Sequence, residues 1–517
     1  MAWWMAALLW IGTTIAGRLF RHKPKREVPH PGTWDSEQMP MISESSSIPV
    51  IWGTVRLEAP NVLWFGAPAT WNKYEGPTLI AVRYYLTLQY GLCIGPIDRV
   101  EAIEWDGLRP DVAARVDGQF YDQIFYRQMN LFGGDLQAGG IYAEIRAYKG
   151  LADQPSDSHL EAKVGATLPG YPHLAYLVVR NNPYPHSEED PCILVRTLPG
   201  WTCPCLDFDL GMCIGDRSAY FGTVAMLHPM AVEVRRVDRC NPLELTADVC
   251  QIGDDANPAN MLYEILTDEV WGLGIPYAQG IDRDSFVAAA TTLAAEAFGL
   301  SMKLDDGGPA KELIDEILRH IDGVLVLDPD DGRLQLRLLR GDYDVSELST
   351  FGPDEIQSFN FSRPALETLS NSVRLTYINR SDHYRPSTVM AQDLAAIGQC
   401  GDEMLEEVSY PGVSNSTLAQ SLAARDLKAL SYPWARVSFS VDRSAWNLRQ
   451  GSPFRLDWPE LGITGMVCRV TRIHPGNLIR GQISIEAVED VFGVSWTAYG
   501  PIPPSGWVDP YVPTSGW

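Results

Sequence analysis

The sequence predicts a multidomain chain of mixed β and α+β class, in which two β-rich, barrel-like domains flank a helix-containing α/β domain. Three observations lead there. The chain has 517 residues, more than one hydrophobic core organises, so two to four domains are expected. Apolar periodicity is near two at first, shifts to about 3.6 after Asp238, and returns to two beyond Phe351. Both ends depart from these patterns, with an apolar, tryptophan-bearing start and a proline-rich finish. The expected divisions are 1–27, an apolar helix and basic linker; 28–238, a β-rich domain with an insertion; 239–350, the α/β domain; 351–498, a second β-rich domain; and 499–517, an extended arm.

Residues 2–17 are an apolar run holding Trp3, Trp4 and Trp10, followed by basic residues 18–26. Sixteen helical residues span about 24 Å, short of the roughly 30 Å hydrocarbon core. With no positive region ahead of it and no A-x-A site, the run does not read as a secretory signal. It reads as a hydrophobic helix docked into a partner or a lumen, with a membrane anchor or membrane-active segment as the alternative. A connector rich in Pro, Ser and acidic residues follows. Residues 47–66, SIPVIWGTVRLEAPNVLWFG, then read as two short strands joined into a hairpin, with Trp52 and Trp64 as interface aromatics.

Strands dominate from there. Residues 79–92 (LIAVRYYLTLQYGL) are dense in β-branched and aromatic residues and end at the turn signal Gly95-Pro96. Residues 100–105 and 142–148 read as further strands, and 174–179 (LAYLVV), apolar on both faces, as a central buried one. Asn257-Pro258 starts a helix, because Asn caps the free amides and Pro tolerates the first helical position. A second helix spans about 284–298 with Gly299 as its stop, and a third spans 309–320. The hairpin VLVLDPDDGRLQLRLL follows; its aspartates lack the spacing and terminal Glu of a calcium loop. Strands at 372–377, 434–441, 465–473 and 482–488 build the last β region, interrupted by a Ser-capped helix at 416–430. In the closing PIPPSGWVDPYVPTSGW, prolines block helix and central strand, which leaves an extended arm presenting Trp507 and Trp517 for docking.

Forty-one basic against 65 acidic residues give a net charge of −24. That disfavours nucleic-acid binding by counterion release, while an acidic wall lets DNA slide past. Nine scattered cysteines suit reduced thiols of a cytoplasmic protein. Cys203, Cys205 and Cys213, with Cys240 and Cys250 further on, are candidate metal ligands. Their spacing lacks the CxxC knuckle, and strand thiols are the preferred reading. The histidines stand in no HxH or HExxH spacing, and GxSxG, Walker and GxGxxG signatures are absent. Two carboxylate pairs, Asp207 with Asp209 and Glu312 with Glu316, are of a kind chance supplies in an acidic chain. No catalytic residue, cofactor or enzymatic activity is therefore expected. A peptidoglycan-degrading enzyme is the competing reading.

Five stretches, met in order, resemble the tail tip (baseplate) hub proteins of long-tailed phages and gene transfer agents. They are Ser47-Ile48-Pro49-Val50-Ile51-Trp52-Gly53; GLCIGPI (91–97) before Trp105-Asp106-Gly107; LAYLVV; Asn257-Pro258-Ala259 leading to Trp271-Gly272-Leu273-Gly274; and AVEDVF (487–492). The resemblance implies a homotrimeric structural hub at the distal tip of a siphophage virion, assembled in the host cytoplasm. Two barrel domains per chain would let three copies meet a sixfold distal tail ring. It implies as partners that ring, the tape measure protein and a central tail fibre, with DNA passing through the lumen at ejection. Because the sequence stops at Trp517, a separate fibre protein is expected to dock on the Trp507 and Trp517 arm. Residues 1–20 are expected in the lumen against the tape measure protein, with host-membrane contact as the alternative.

Overall fold

In the computed structural model, which describes residues 47–180, 219–237, 243–305, 310–365, 369–476 and 481–493, the period-two stretches become strands and the 3.6-period stretches helices. Two compact units result: residues up to Arg236 with Lys303–Asp306, and Val237–Met302 with Gly307 onward.

The first unit contains β1 (Val50–Glu58), β2 (Asn61–Glu75), β3 (Thr78–Ile94), β4 (Arg99–Trp105), β5 (Val112–Val116), β6 (Tyr121–Gln128), β7 (Ile141–Tyr148), helix α1 (Ser158–Val164), β8 (Leu174–Arg180), β9 (Ala219–Tyr220) and β10 (Met230–Arg236). One sheet runs β2-β3-β8-β7-β6-β5, with β9 on β3 and β7; a second runs β13-β1-β10-β4, its edge strand β13 (Met302–Leu304) coming from the later segment of this unit. Alternation explains the burial. Leu86, Leu88, Tyr90 and Leu92 of β3, Ala175, Leu177 and Val179 of β8, and Ile141, Ala143 and Ile145 of β7 all enter one core. Ile51 and Val55 of β1 and Val232 and Val234 of β10 join the same core. The intervening Tyr148, Tyr176 and Val178 form a separate cluster with Leu160 of α1. Residues 175–179 are thus buried on both faces, as expected of a central strand, with Leu174 partly buried.

The hairpin expected over residues 47–66 does not form. β1 pairs antiparallel with β10, from Gly53↔Arg236 to Glu58↔Ala231, while β2 pairs with β3, from Asn61↔Gly91 to Glu75↔Thr78. The chain changes sheets at Ala59-Pro60, where Ala59 has φ 47°. A strand pattern reports burial and alternation, and both strands satisfy it, but it says nothing about which strand lies alongside.

The second unit has one long sheet and several smaller elements. The short pair β11 (Gln251–Ile252) and β12 (Asp255–Ala256) lies between α2 (Ala247–Cys250) and α3 (Pro258–Thr267). Helices α4 (Tyr277–Gly280) and α5 (Arg283–Ala295) follow, then helix α6 (Ala310–Ile321) and the hairpin β14 (Gly323–Leu327) with β15 (Leu334–Leu338). A six-stranded sheet runs β16-β22-β23-β24-β21-β17, from β16 (Thr350–Phe351), β17 (Gln357–Ser362), β21 (Arg436–Val441), β22 (Pro453–Trp458), β23 (Ile463–His474) and β24 (Ile483–Glu489). Phe351, Phe439, Phe454, Val470 and Ile485 lie in its core. A three-stranded sheet places β18 (Ser372–Asn379) between β19 (Arg385–Gln392) and β20 (Leu405–Tyr410), with α7 (Leu394–Cys400) in the connection and α8 (Ser416–Ser431) after it.

Helix ends depart from expectation at two points. Helix α5 ends before Gly299: Ala297 takes the left-handed conformation at φ 53° and its N–H bonds to the Ala294 carbonyl. Gly299 serves close approach instead, since a Cβ there would lie 2.5 Å from Asp255 Cβ. The cap of α8 is Asn415, whose side chain accepts from the Leu418 N–H, and Ser416 is the first helical residue. Asn caps as strongly as Ser, so a run of cap-competent residues hides which one stands at the start. Asn257 does cap α3, accepting from Ala259 N–H at 3.0 Å.

Candidate interaction surfaces

A cleft in each unit brings together side chains able to recognise a partner. In the first unit, α1 packs across the outer face of the large sheet because Asp157 anchors its start. Asp157 accepts from the His159 and Leu160 amides at 2.9 and 3.0 Å, from Tyr148 Oη at 2.9 Å and from Arg146 Nη1 at 3.0 Å. Burial pushes its carboxyl up, but the Leu160 amide and Arg146 prevail and hold it below the ordinary carboxylate range. Glu144, fully buried beside it, accepts from Arg180 Nη2 at 2.8 Å. These charges are paired and hydrogen-bonded, as burial requires. Burial pushes His159 down to about 4.

Between α1 and the edge of that sheet lies a cleft of about 330 Å³, lined by Leu63, Trp64, Gln89, Leu160, Val164 and Tyr171 among others. Trp64 forms one wall. Its ring lies over Gly66, where a Cβ would meet Cη2 at 2.5 Å, so glycine is the residue that admits it. Gln89, 2% exposed, brings an amide nitrogen with no hydrogen-bond partner among the described residues.

In the second unit a larger cleft of about 570 Å³ is lined by Asp254, Asp255, Glu296, Asp322, Arg340 and Arg425, with Ile252, Phe298, Leu418, Leu422 and Phe492 as apolar wall. Asp255 sits at its base, accepting from Ser301 Oγ at 2.6 Å, from Ser414 Oγ at 2.9 Å and from Arg380. Arg340 grips Glu296 with two bonds of 2.7 and 2.8 Å. Arg425 reaches Asp322 at 3.1 Å and Asp426 at 3.1 Å, and donates to the His320 carbonyl at 2.7 Å. Burial raises the Asp322 carboxyl, and Arg425 offsets this only in part. His320, fully buried, donates from Nδ1 to the Glu316 carbonyl at 2.7 Å and accepts the Gly412 N–H at Nε2, 3.3 Å away. Burial holds its pKa at about 4. Asp254 is the open member, its side chain 60% exposed and 3.8 Å from Arg380.

Of the aromatics expected to bind partners, Trp52 is 2% exposed and presents no ring to solvent. Trp64 is half-buried against the Tyr148 and Leu160 cluster. Trp3, Trp4, Trp10, Trp507 and Trp517 lie outside the described residues, as do Cys203, Cys205, Cys213, Asp207 and Asp209. Glu316, from the other carboxylate pair, is bound by Arg319 at 2.6 Å. Cys250 is disulfide-bonded to a partner outside the described residues, which corrects the expectation of reduced thiols there; an odd total excludes a complete framework and leaves single bridges open. Both clefts escaped the sequence reading because their residues come from segments far apart in the chain. The only local signal was the cap at Asn257, which marks the turn carrying Asp254 and Asp255.

Residues 309–473 match a family model described as "Putative phage tail protein". No curated protein matches the chain. Among solved structures it is similar to a chain of "Virion of native gene transfer agent (GTA) particle", at 18% identity over 94% of this chain and 95% of that one, with a TM-score of 0.51. It is also similar to the 43 kDa tail protein of prophage MuSo2 from Shewanella oneidensis, at 9% identity over 87% of this chain and 99% of that one, with a TM-score of 0.30. The first likeness is one of fold along nearly the whole chain.

Proposed function

We propose that the chain is a structural protein of a phage-type virion tail, and within it the hub that closes the distal end of the tube. What carries this reading is the family match over residues 309–473, which falls on a chain whose fold resembles that of a gene-transfer-agent virion chain over 94% of its length. Supporting it, the second unit holds a sheet core apart from that of the first, so one chain supplies two β-built modules. Three copies would then supply six, which matches a sixfold ring of distal tail protein without a symmetry break.

In this reading the function is mechanical. The hub docks the distal ring above, the tape measure protein within and a central fibre below, and it opens when the tip engages a host. The net charge of −24 keeps the channel from holding DNA that must pass through it. Residues 1–20 would face the lumen, and Trp507 and Trp517 would seat the fibre protein. The test is deletion of residues 501–517 followed by pull-down of the fibre protein from assembled tails. Loss of fibre with an intact tip supports the hub role, and undiminished fibre removes the arm from it. Clearing of peptidoglycan by the purified chain in a zymogram would replace the mechanical reading with an enzymatic one.

A further inference from the structure

We propose that the carboxylate-lined cleft of the second unit is the docking site for this chain's own basic stretch, residues 18–26. The cleft asks for an occupant that is cationic and apolar together. Four carboxylates, Asp254, Asp255, Glu296 and Asp322, line it against two guanidiniums, Arg340 and Arg425. Counting the groups bound directly to these changes nothing: Asp426 adds an acid on Arg425, and Arg380 adds a base on Asp255. Both lining arginines are already spent on the cleft's own acids, so the excess is negative. Beside it, Phe298, Leu418, Leu422 and Phe492 offer apolar wall.

Residues 18–26 read RLFRHKPKR, five Lys or Arg and no acid, with Leu19 and Phe20 between the first two arginines. The other long stretches outside the described residues lack this chemistry. Residues 28–46 and 494–517 contain no Lys or Arg, and 181–218 carry six acids against two arginines. Charge therefore selects among them, and it argues against the C-terminal arm even though that arm follows Phe492 of the cleft wall in sequence. The twenty-one residues from Arg26 to Ser47 can extend to roughly 70 Å, so the linker leaves the contact free to form within a chain or between copies. Tethering raises the local concentration of such a segment to the millimolar range, enough for a modest contact to persist. The contact would hold the apolar residues 2–17 at the body of the unassembled protein. It stands whether or not the tail reading is correct.

The experiment is zero-length carbodiimide cross-linking of the purified full-length chain, read by mass spectrometry. Lys23 and Lys25 are expected to link to Asp254, Glu296 or Asp322, within one chain or between copies. Asp254→Lys should lower the yield at least threefold without moving the thermal transition, and 0.5 M salt should do the same, as screening predicts. Lys23→Glu with Lys25→Glu, placed outside both described cores, should raise carbodiimide labelling of the cleft carboxylates with a small amine severalfold. Cross-links scattered over other acids, or cleft labelling unchanged in that variant, would overturn the proposal. Protection of residues 18–26 that occurs only when anionic vesicles are added would overturn it too, in favour of a membrane.

Discussion

A single buried carboxylate joins four segments of the second unit. Asp255 holds Ser301, Arg380 and Ser414, and removing it leaves a guanidinium and two hydroxyls facing a void. Breaking a buried pair from one side costs about 3–5 kcal/mol. Asp255→Ala should lower the unfolding free energy of this unit by that order in a urea titration, and adding Arg380→Met should recover part of it. Full recovery of stability in Asp255→Ala alone would mean the pair contributes nothing. Histidine sets a different lever. His159 and His320 take up a proton only near pH 4 in the folded chain, against about 6.5 when unfolded. Between those values the unfolded chain binds more protons, so stability is whole above pH 6.5 and falls as pH drops toward 4. Each unit of separation is worth about 1.4 kcal/mol, so each histidine contributes on the order of 3 kcal/mol across the window. The lowered carboxyl of Asp157 acts in the same direction but only below its unfolded value, so the two effects separate in pH. His320→Gln should flatten the melting temperature between pH 6.5 and 4. An unchanged slope would mean His320 already titrates in the folded chain.

Helix α3 shows how an element can be legible while its anchoring is hidden. Asn257-Pro258 announces the start, and the buried face of Met261, Leu262, Ile265 and Leu266 follows the expected period. The sequence does not reveal that Asn257 also donates to the Val249 and Ala290 carbonyls at 2.8 and 2.9 Å, tying three segments together. On an isolated helix Asp caps as well as Asn. Here Asn257→Asp keeps the cap but loses both donors and sets a carboxylate against carbonyls, so it should destabilise at least as much as Asn257→Ala, about 2–3 kcal/mol in guanidinium unfolding followed by circular dichroism. Recovery of wild-type stability by Asp would show that only the cap matters. The same division runs through the sheets. Strands β3 and β8 were legible because burial writes itself into alternation. The pairing of β1 with β10 was not, since its partner lies far along the chain. Strands β19 and β20 and helix α7 escaped because their side chains are largely exposed, with no apolar stripe to betray them.

At the scale of the whole molecule, the resemblance was carried by short stretches that turn out to be structural. Trp52, Trp105 and the LAYLVV strand are buried, so these motifs record the fold and say little about contacts with partners. The clefts were illegible for the converse reason, since each is assembled from strands, loops and helix faces of different segments. In the proposed hub reading, function at this scale rests on assembly, and that reading has a sharp physical consequence. Two sheet-built modules in one chain cannot satisfy a sixfold ring, whereas three chains can, and a heterologous contact that closes after three steps leaves no free end. Interfaces that survive in a virion belong to the large, obligate class, which does not dissociate at micromolar concentration. The purified chain should therefore sediment at three times 57.4 kDa and keep that mass on tenfold dilution. A dilution-independent single-chain mass would leave the two modules without the symmetry partner that gives them a mechanical role.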